Sequence, residues 1–278
     1  MPAVMGILNV TPDSFSDGGK YQNTDETQRH AEKMIRAGAD IIDIGGESTR
    51  PGAKNVSAEE ELARVIPVIE KIRAISAIPL SIDTSTPEVI LAAAEAGVDL
   101  INDVRALRRE GALNAAVASG LPVCLMHMQG DPETMQMKPD YVDVVTEIRE
   151  FLVERINVCV EAGIHDDQIV IDPGFGFGKT PQHNLQIINR LEEFKSLGKP
   201  LLVGLSRKST IGIILEDITD DRLIGSVSGA LFAVNKGAAI VRVHDVAETV
   251  AALTVNRAFV EEVESRSRKQ LNSNQAQD

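Results

Sequence analysis

Asn9, Asp43, Asp83, Asn102, His127, Asp172 and Ser206 each stand at or near the end of a short apolar run of strand character, and Arg242 with His244 ends an eighth. The runs are Val4–Val10, Asp40–Gly45, Leu80–Thr84, Leu100–Val104, Val123–Met128, Ile169–Pro173, Leu201–Ser206 and Ile240–Asp245. A carboxylate or carboxamide set among Ile and Val must be hydrogen-bonded, because unpaired burial is costly. Asp43, Asp83, Asn102 and Asp172 could meet that demand by tying to backbone or to one another. For all four at once this weakens, since their partners would also be spent on structure. Facing one cavity, the four suit a flat, neutral heterocycle that displays alternating donors and acceptors.

A second constellation is cationic. Ser206-Arg-Lys-Ser209 ends the seventh run and enters a helix at Ser209, while Arg242 and His244 alternate along the eighth. Residues two apart on a strand share a face, so Arg242 and His244 point the same way. In a chain of net charge −13, such a cluster reads as a phosphate site. Pairing of Arg242 with a rim Asp is the competing reading, and Lys208 has a further one as a Schiff-base nucleophile. His127 reads equally as a core histidine, and no Cys/His spacing matches zinc. Asp172-Pro-Gly-Phe-Gly-Phe-Gly-Lys-Thr180 looks like a P-loop, but only three residues separate Gly174 from Gly178, where that motif needs four. Its glycines instead read as a close backbone approach to a ligand, with Phe177 as an apolar wall.

Positioning these groups requires a repeated unit. Each run is followed by a helical stretch, and eight strand–helix units predict one α/β domain, a (β/α)8 TIM barrel whose C-terminal strand ends converge on a single mouth. Glycine marks the handover from helix to strand at Gly38, Gly97, Gly120, Gly163, Gly198 and Gly237. Helix starts carry capping acceptors at Thr24 or Asp25, at Ser57 with Glu60, and at Thr86 before Pro87. Long mouth-side connections follow strands one, two and five, at Thr11–Asn23, Gly46–Ser57 and Gln129–Tyr141. No linker divides residues 1–264, and the polar segment 265–278 is expected to be a disordered tail.

Composition excludes several classes. Hydrophobic residues make up 43% and aromatics 3%, enough for a large aliphatic core. Acidity disfavours nucleic acid and anionic membranes as partners. Cys124 and Cys159 are the only cysteines, expected as buried thiols in a reducing compartment. With no signal or membrane-spanning run, the expectation is cytoplasmic.

Taken together, five phrases resemble the dihydropteroate synthase family from Met5 to about Val260. They are Met5-Gly-Ile-Leu-Asn-Val-Thr-Pro-Asp-Ser-Phe-Ser-Asp-Gly-Gly19, Asp43-Ile-Gly-Gly-Glu-Ser-Thr-Arg-Pro-Gly52, Asp172-Pro-Gly-Phe-Gly-Phe177, Ser206-Arg-Lys208 and Arg242-Val-His-Asp245. That family joins 6-hydroxymethyl-7,8-dihydropterin pyrophosphate to p-aminobenzoate and releases pyrophosphate. The resemblance implies a transferase in which Asp83, Lys208, Arg242 and His244 are catalytic. It implies a pterin site of Asp83, Asn102, Met126, Asp172, Phe177 and Lys208. Asn9 would help hold Mg²⁺ and pyrophosphate, with Arg242 and His244 gripping the leaving group. Thr49, Arg50, Pro51, Phe177, Lys208 and Ser209 would form the p-aminobenzoate site, and Asp13, Phe15 and Asp17 lie in a lid loop. It further implies an SN1-like route through a pterin cation, a homodimer through outer helices, and sensitivity to sulfonamides. The chain begins almost at the first strand, where many relatives have a segment closing the barrel bottom, so that end is expected to be barer. The alternatives are a pterin-dependent methyltransferase, which has no need of the pyrophosphate residues, and a non-catalytic pterin-binding protein.

Overall fold

The computed structural model describes residues 2–10, 20–48, 56–131, 134–216 and 218–275, with side chains described for 25–260 within those ranges and for 2–10. Its elements run β1 Ala3–Asn9, α1 Lys20–Arg36, β2 Ile41–Gly45, α2 Ala58–Ile75, β3 Leu80–Asp83, α3 Pro87–Ala96, β4 Leu100–Asp103 and α4 Ala112–Ser119. They continue β5 Val123–Met126, α5 Val144–Ala162, β6 Ile169–Asp172, α6 Pro181–Asn189, β7 Leu202–Val203, α7 Ser209–Ile214, α8 Leu223–Asn235, β8 Ile240–Val243 and α9 Val246–Gln275. All strand pairs are parallel in the order β6-β5-β4-β3-β2-β1-β8-β7. A parallel bridge between Ile171 and Leu201 joins the two ends of that sheet. The eight-stranded barrel expected from the strand–helix alternation is the fold.

Alternation along the strands then decides what lies inside. Met5, Leu100, Cys124 and Leu202 pack together, with Ile41, Val170 and Ile240 partly buried against them, as the apolar plug of the barrel. Two residues further along the same faces come Asp43, Asn102, Met126, Asp172 and Arg242, and the side chains of the opposite faces pack outward under the helices. The barrel interior therefore changes from hydrocarbon to polar groups within a single pleat repeat.

Local chemistry sets the turns. All six handover glycines have φ between +66° and +111°, where a side chain would be strained. Ser57 caps α2 by accepting from the Glu60 amide at 3.2 Å. Thr86 does not cap α3; its hydroxyl donates to the buried Glu61 carboxylate at 2.7 Å instead. The α1 helix begins at Lys20, ahead of the expected cap at Thr24 or Asp25. The seventh strand is shorter than its apolar run: Arg207 adopts φ +58°, and the Lys208 amide turns back to the Leu205 carbonyl at 3.2 Å. The short helix α7 follows, so two helices separate β7 from β8. Of the long connections, the third closes on itself, with the Gln129 side chain bonded to both the amide and the carbonyl of Asp140 at 3.1 and 2.9 Å. Helical backbone continues through the expected tail as far as Gln275. Among the described residues, no helix is long and apolar enough to cross a membrane.

Candidate active site

The polar layer is organised by one guanidinium. Arg242 on β8 donates through Nε to Asp43 Oδ2 at 2.6 Å and through Nη2 to Asp83 Oδ2 at 2.7 Å. Asn102 adds its Nδ2–H to the same Asp43 oxygen at 3.2 Å, which leaves its Oδ1 as an acceptor. So the rim-pairing reading of Arg242 holds, and it spends only two of five N–H groups. Burial raises the Asp83 carboxyl to about 7, against the pull of Arg242 and with a push from Asp43. Burial would lower the Arg242 pKa, but Asp43 and Asp83 outweigh it and raise it. A carboxyl group that titrates near neutrality, held beside a permanent cation, is the arrangement expected where charge develops during a reaction.

Across the mouth stands a wall built by the loop after β6. Asp172 turns its Oδ1 back to the Gly174 amide at 2.7 Å. Lys208 Nζ donates to the Phe175 carbonyl and lies 4.5 Å from the centre of the Phe177 ring. Phe177 also packs against Val104, Met126, Met128 and Met135 in an apolar cluster. Burial raises the Asp172 pKa, with Lys208 opposing; burial lowers Lys208 to about 8, with Asp172 opposing. The strand ends thus offer carboxylates, a carboxamide and an amine beside a cluster of sulfur and aromatic carbon. That is what a planar, hydrogen-bonding ring requires.

On the β8 side, Ser206 accepts the His244 amide at 3.1 Å, and its Oγ lies 3.0 Å from His244 Nδ1. The Arg207 guanidinium binds both oxygens of Asp245, Nε to Oδ2 at 3.0 Å, and its amide donates to Ser226 at 2.9 Å. These contacts lock the β7 and β8 ends together. The Asn9 carboxamide and the Asp83 carboxylate both border Gly45, where a Cβ would stand 3.9 Å from Asn9 Oδ1 and 3.8 Å from Asp83 Oδ2.

The pterin-binding enzyme family matches residues 5–244 of the chain. The dihydropteroate synthase of Escherichia coli (strain K12) is 54% identical over 265 residues, covering 95% of this chain and 94% of that protein. The chain belongs to the dihydropteroate synthase family. Haemophilus influenzae has a dihydropteroate synthase 53% identical over 93% of this chain and 94% of its own. Among solved structures, Yersinia pestis dihydropteroate synthase in a sulfonamide drug complex superposes with a TM-score of 0.89, at 53% identity over 94% of each chain. Xanthomonas albilineans dihydropteroate synthase in complex with 7,8-dihydropteroate does so at 0.84, with 48% identity over 93% of each.

Among the expected residues, Asp83 and Asn102 join Arg242 directly or through Asp43, while Met126 and Lys208 both meet Phe177; Asn9 borders Gly45 beside Asp83, and His244 is joined to Ser206. Ser209 is exposed at the start of α7. Asp13, Phe15, Asp17, Thr49, Arg50 and Pro51 lie outside the described residues. Asp43, weighed with the other strand-end groups, is fully buried and anchors Arg242. One participant went unassigned at the sequence level. Lys179 is buried beneath the Phe177 loop; its place in a failed P-loop motif concealed it.

Proposed function

We propose that this chain condenses 6-hydroxymethyl-7,8-dihydropterin pyrophosphate with p-aminobenzoate to give 7,8-dihydropteroate and pyrophosphate. The observation that carries this is the Asp43–Arg242–Asp83 bridge set opposite the Asp172, Phe177 and Lys208 wall. The pterin lies against Phe177 and Met126, its ring edge bonded to Asn102, Asp172 and Lys208. Departure of pyrophosphate leaves positive charge on the pterin, which the Asp83 carboxylate offsets. Arg242 keeps three further N–H groups for the departing anion, and His244 adds a donor beside it. The neutral arylamine of p-aminobenzoate then attacks the exocyclic carbon, with Ser209 and the 49–51 segment shaping its site. Water would intercept such a cation, so turnover requires that it be kept from the reacting carbon.

Mg²⁺ belongs to this reading. Asp83, which borders Gly45 with Asn9, is engaged by Arg242, and no group of three His, Cys, Asp or Glu suited to a metal occurs among the described residues. A carboxamide oxygen plus phosphate oxygens fits Mg²⁺, which keeps few protein ligands. Bound there, it would neutralise charge on the leaving pyrophosphate.

A cytoplasmic homodimer completes the proposal. Both cysteines are free and buried, as suits a reducing compartment. Helices α7, α8 and α9 leave Ile213, Ile224, Phe232 and Phe259 exposed, an apolar face suited to a second copy. Sedimentation giving a monomer at micromolar concentration would remove that part alone. The central test is pyrophosphate release with Mg²⁺, with and without p-aminobenzoate, alongside chromatography for dihydropteroate. Amine-dependent release with matching product is expected, and sulfonamides should compete with p-aminobenzoate. Tight pterin binding without release would overturn the reading.

A further inference from the structure

We infer that Lys179 is a positioning residue for the pterin site, holding from behind the loop that carries Phe177; this rests on the function proposed above. Lys179 is 3% exposed, yet among the described residues no carboxylate hydrogen-bonds it, Asp172 acting on it only through its charge. Its ammonium instead meets the carbonyls of Gly174 and Phe177, each at 2.8 Å, that of His127 at 3.3 Å, and His127 Nδ1 at 3.0 Å. An ammonium has three N–H groups, and a buried one must satisfy all of them. Burial lowers the Lys179 pKa, with the nearby Asp172 carboxylate opposing; while the amine is protonated, His127 Nδ1 accepts and the ring proton resides on Nε2.

The carbonyls gather round one point because the backbone is bent to allow it. Gly174, Gly176 and Gly178 have φ of +68°, +91° and +64°. Without the cation, the negative ends of these peptide dipoles would face one another across a buried gap. The loop would relax by turning them outward.

The peptides held by Lys179 are the ones that shape the site. Gly174 gives its carbonyl to Lys179 and its amide to Asp172. Phe177 gives its carbonyl to Lys179 and its ring to Lys208. Between them, the Phe175 carbonyl receives Lys208, and the Gly176 amide donates to the buried Asn184 at 2.8 Å. Loss of Lys179 therefore disturbs Asp172, Phe177 and Lys208 together, although Lys179 itself touches no substrate.

The test compares wild type with Lys179→Met and the neutral donor Lys179→Gln in the full chain. Affinity for 6-hydroxymethylpterin, KM for each substrate, kcat and circular dichroism are read for each. Folded Lys179→Met should lose roughly 100-fold in kcat/KM for the pterin substrate. Its affinity for 6-hydroxymethylpterin should fall with it, and Lys179→Gln should recover part of both losses. A folded variant that binds pterin like wild type overturns the inference. Should neither variant fold, ¹⁵N spectra of His127 in wild type decide it: an unprotonated Nδ1 supports the clamp, and a protonated one removes it. Failure of wild type itself to bind the pterin would instead overturn the proposed function.

Discussion

Arg242 and Asp83 are 159 residues apart in the chain, yet their side chains meet at 2.7 Å across the barrel mouth. The same guanidinium holds Asp43, so a single cation compensates two carboxylates in a place where neither charge could stand alone. Site and stability are consequently coupled at this residue.

Arg242→Met should cost about 3 kcal/mol of stability, because it leaves Asp43 and Asp83 buried without their partner. Adding Asp83→Asn to that variant should recover part of the loss. Urea unfolding of the two proteins checks this, and equal midpoints would mean that Asp83 is not the strained partner.

Asp83→Asn should lower kcat roughly 100-fold, since the isosteric amide cannot offset a developing cation, while leaving the fold intact. The sign of its pH effect is opposite to that of a salt-bridged carboxylate. The folded pKa of about 7 lies above the ordinary 3.8, so ionised Asp83 costs stability that is lost as pH rises from the lower value to the higher. The variant should show a flatter stability profile across that window, measurable by thermal melts at stepped pH.

Activity should follow a bell in pH. Turnover needs Asp83 ionised, above about 7, and Lys208 protonated, below about 8, so kcat/KM peaks between them. Lys208→Arg should shift the alkaline limb upward. A profile flat from pH 6 to 9 would exclude both groups from control of the rate.

Two glycine substitutions should part company. A Cβ on Gly174 would run into the His127 carbonyl oxygen at φ +68°, and Gly174→Ala should cost about 3 kcal/mol or more. Gly198 has φ +67° with nothing within 4 Å of the place a methyl would take, so Gly198→Ala should cost only about 1 kcal/mol. Denaturant midpoints measure the difference.

Ser206→Ala should weaken inhibition by pyrophosphate several-fold while sparing pterin affinity, because it removes the hydroxyl that meets His244 Nδ1 at 3.0 Å. Product-inhibition constants for the two ligands provide the check.

Much of this protein was legible before folding. Period-two apolar runs, handover glycines and polar strand ends depend on local backbone geometry, so the barrel, its mouth and the residues Asp83, Asn102, Asp172, Lys208 and Arg242 could be read from the chain. The resemblance of five phrases added the family. Tertiary structure alone decided the pairings: Arg242 with both Asp43 and Asp83, Ser206 with His244, and Thr86 with Glu61 in place of a helix cap. It also turned Lys179 inward, where three carbonyls and an imidazole take the place of a counter-ion. Each of these depends on which side chains meet across distant strands, and on the cost of leaving a buried polar group unpaired. Neither is a property of any local stretch of sequence.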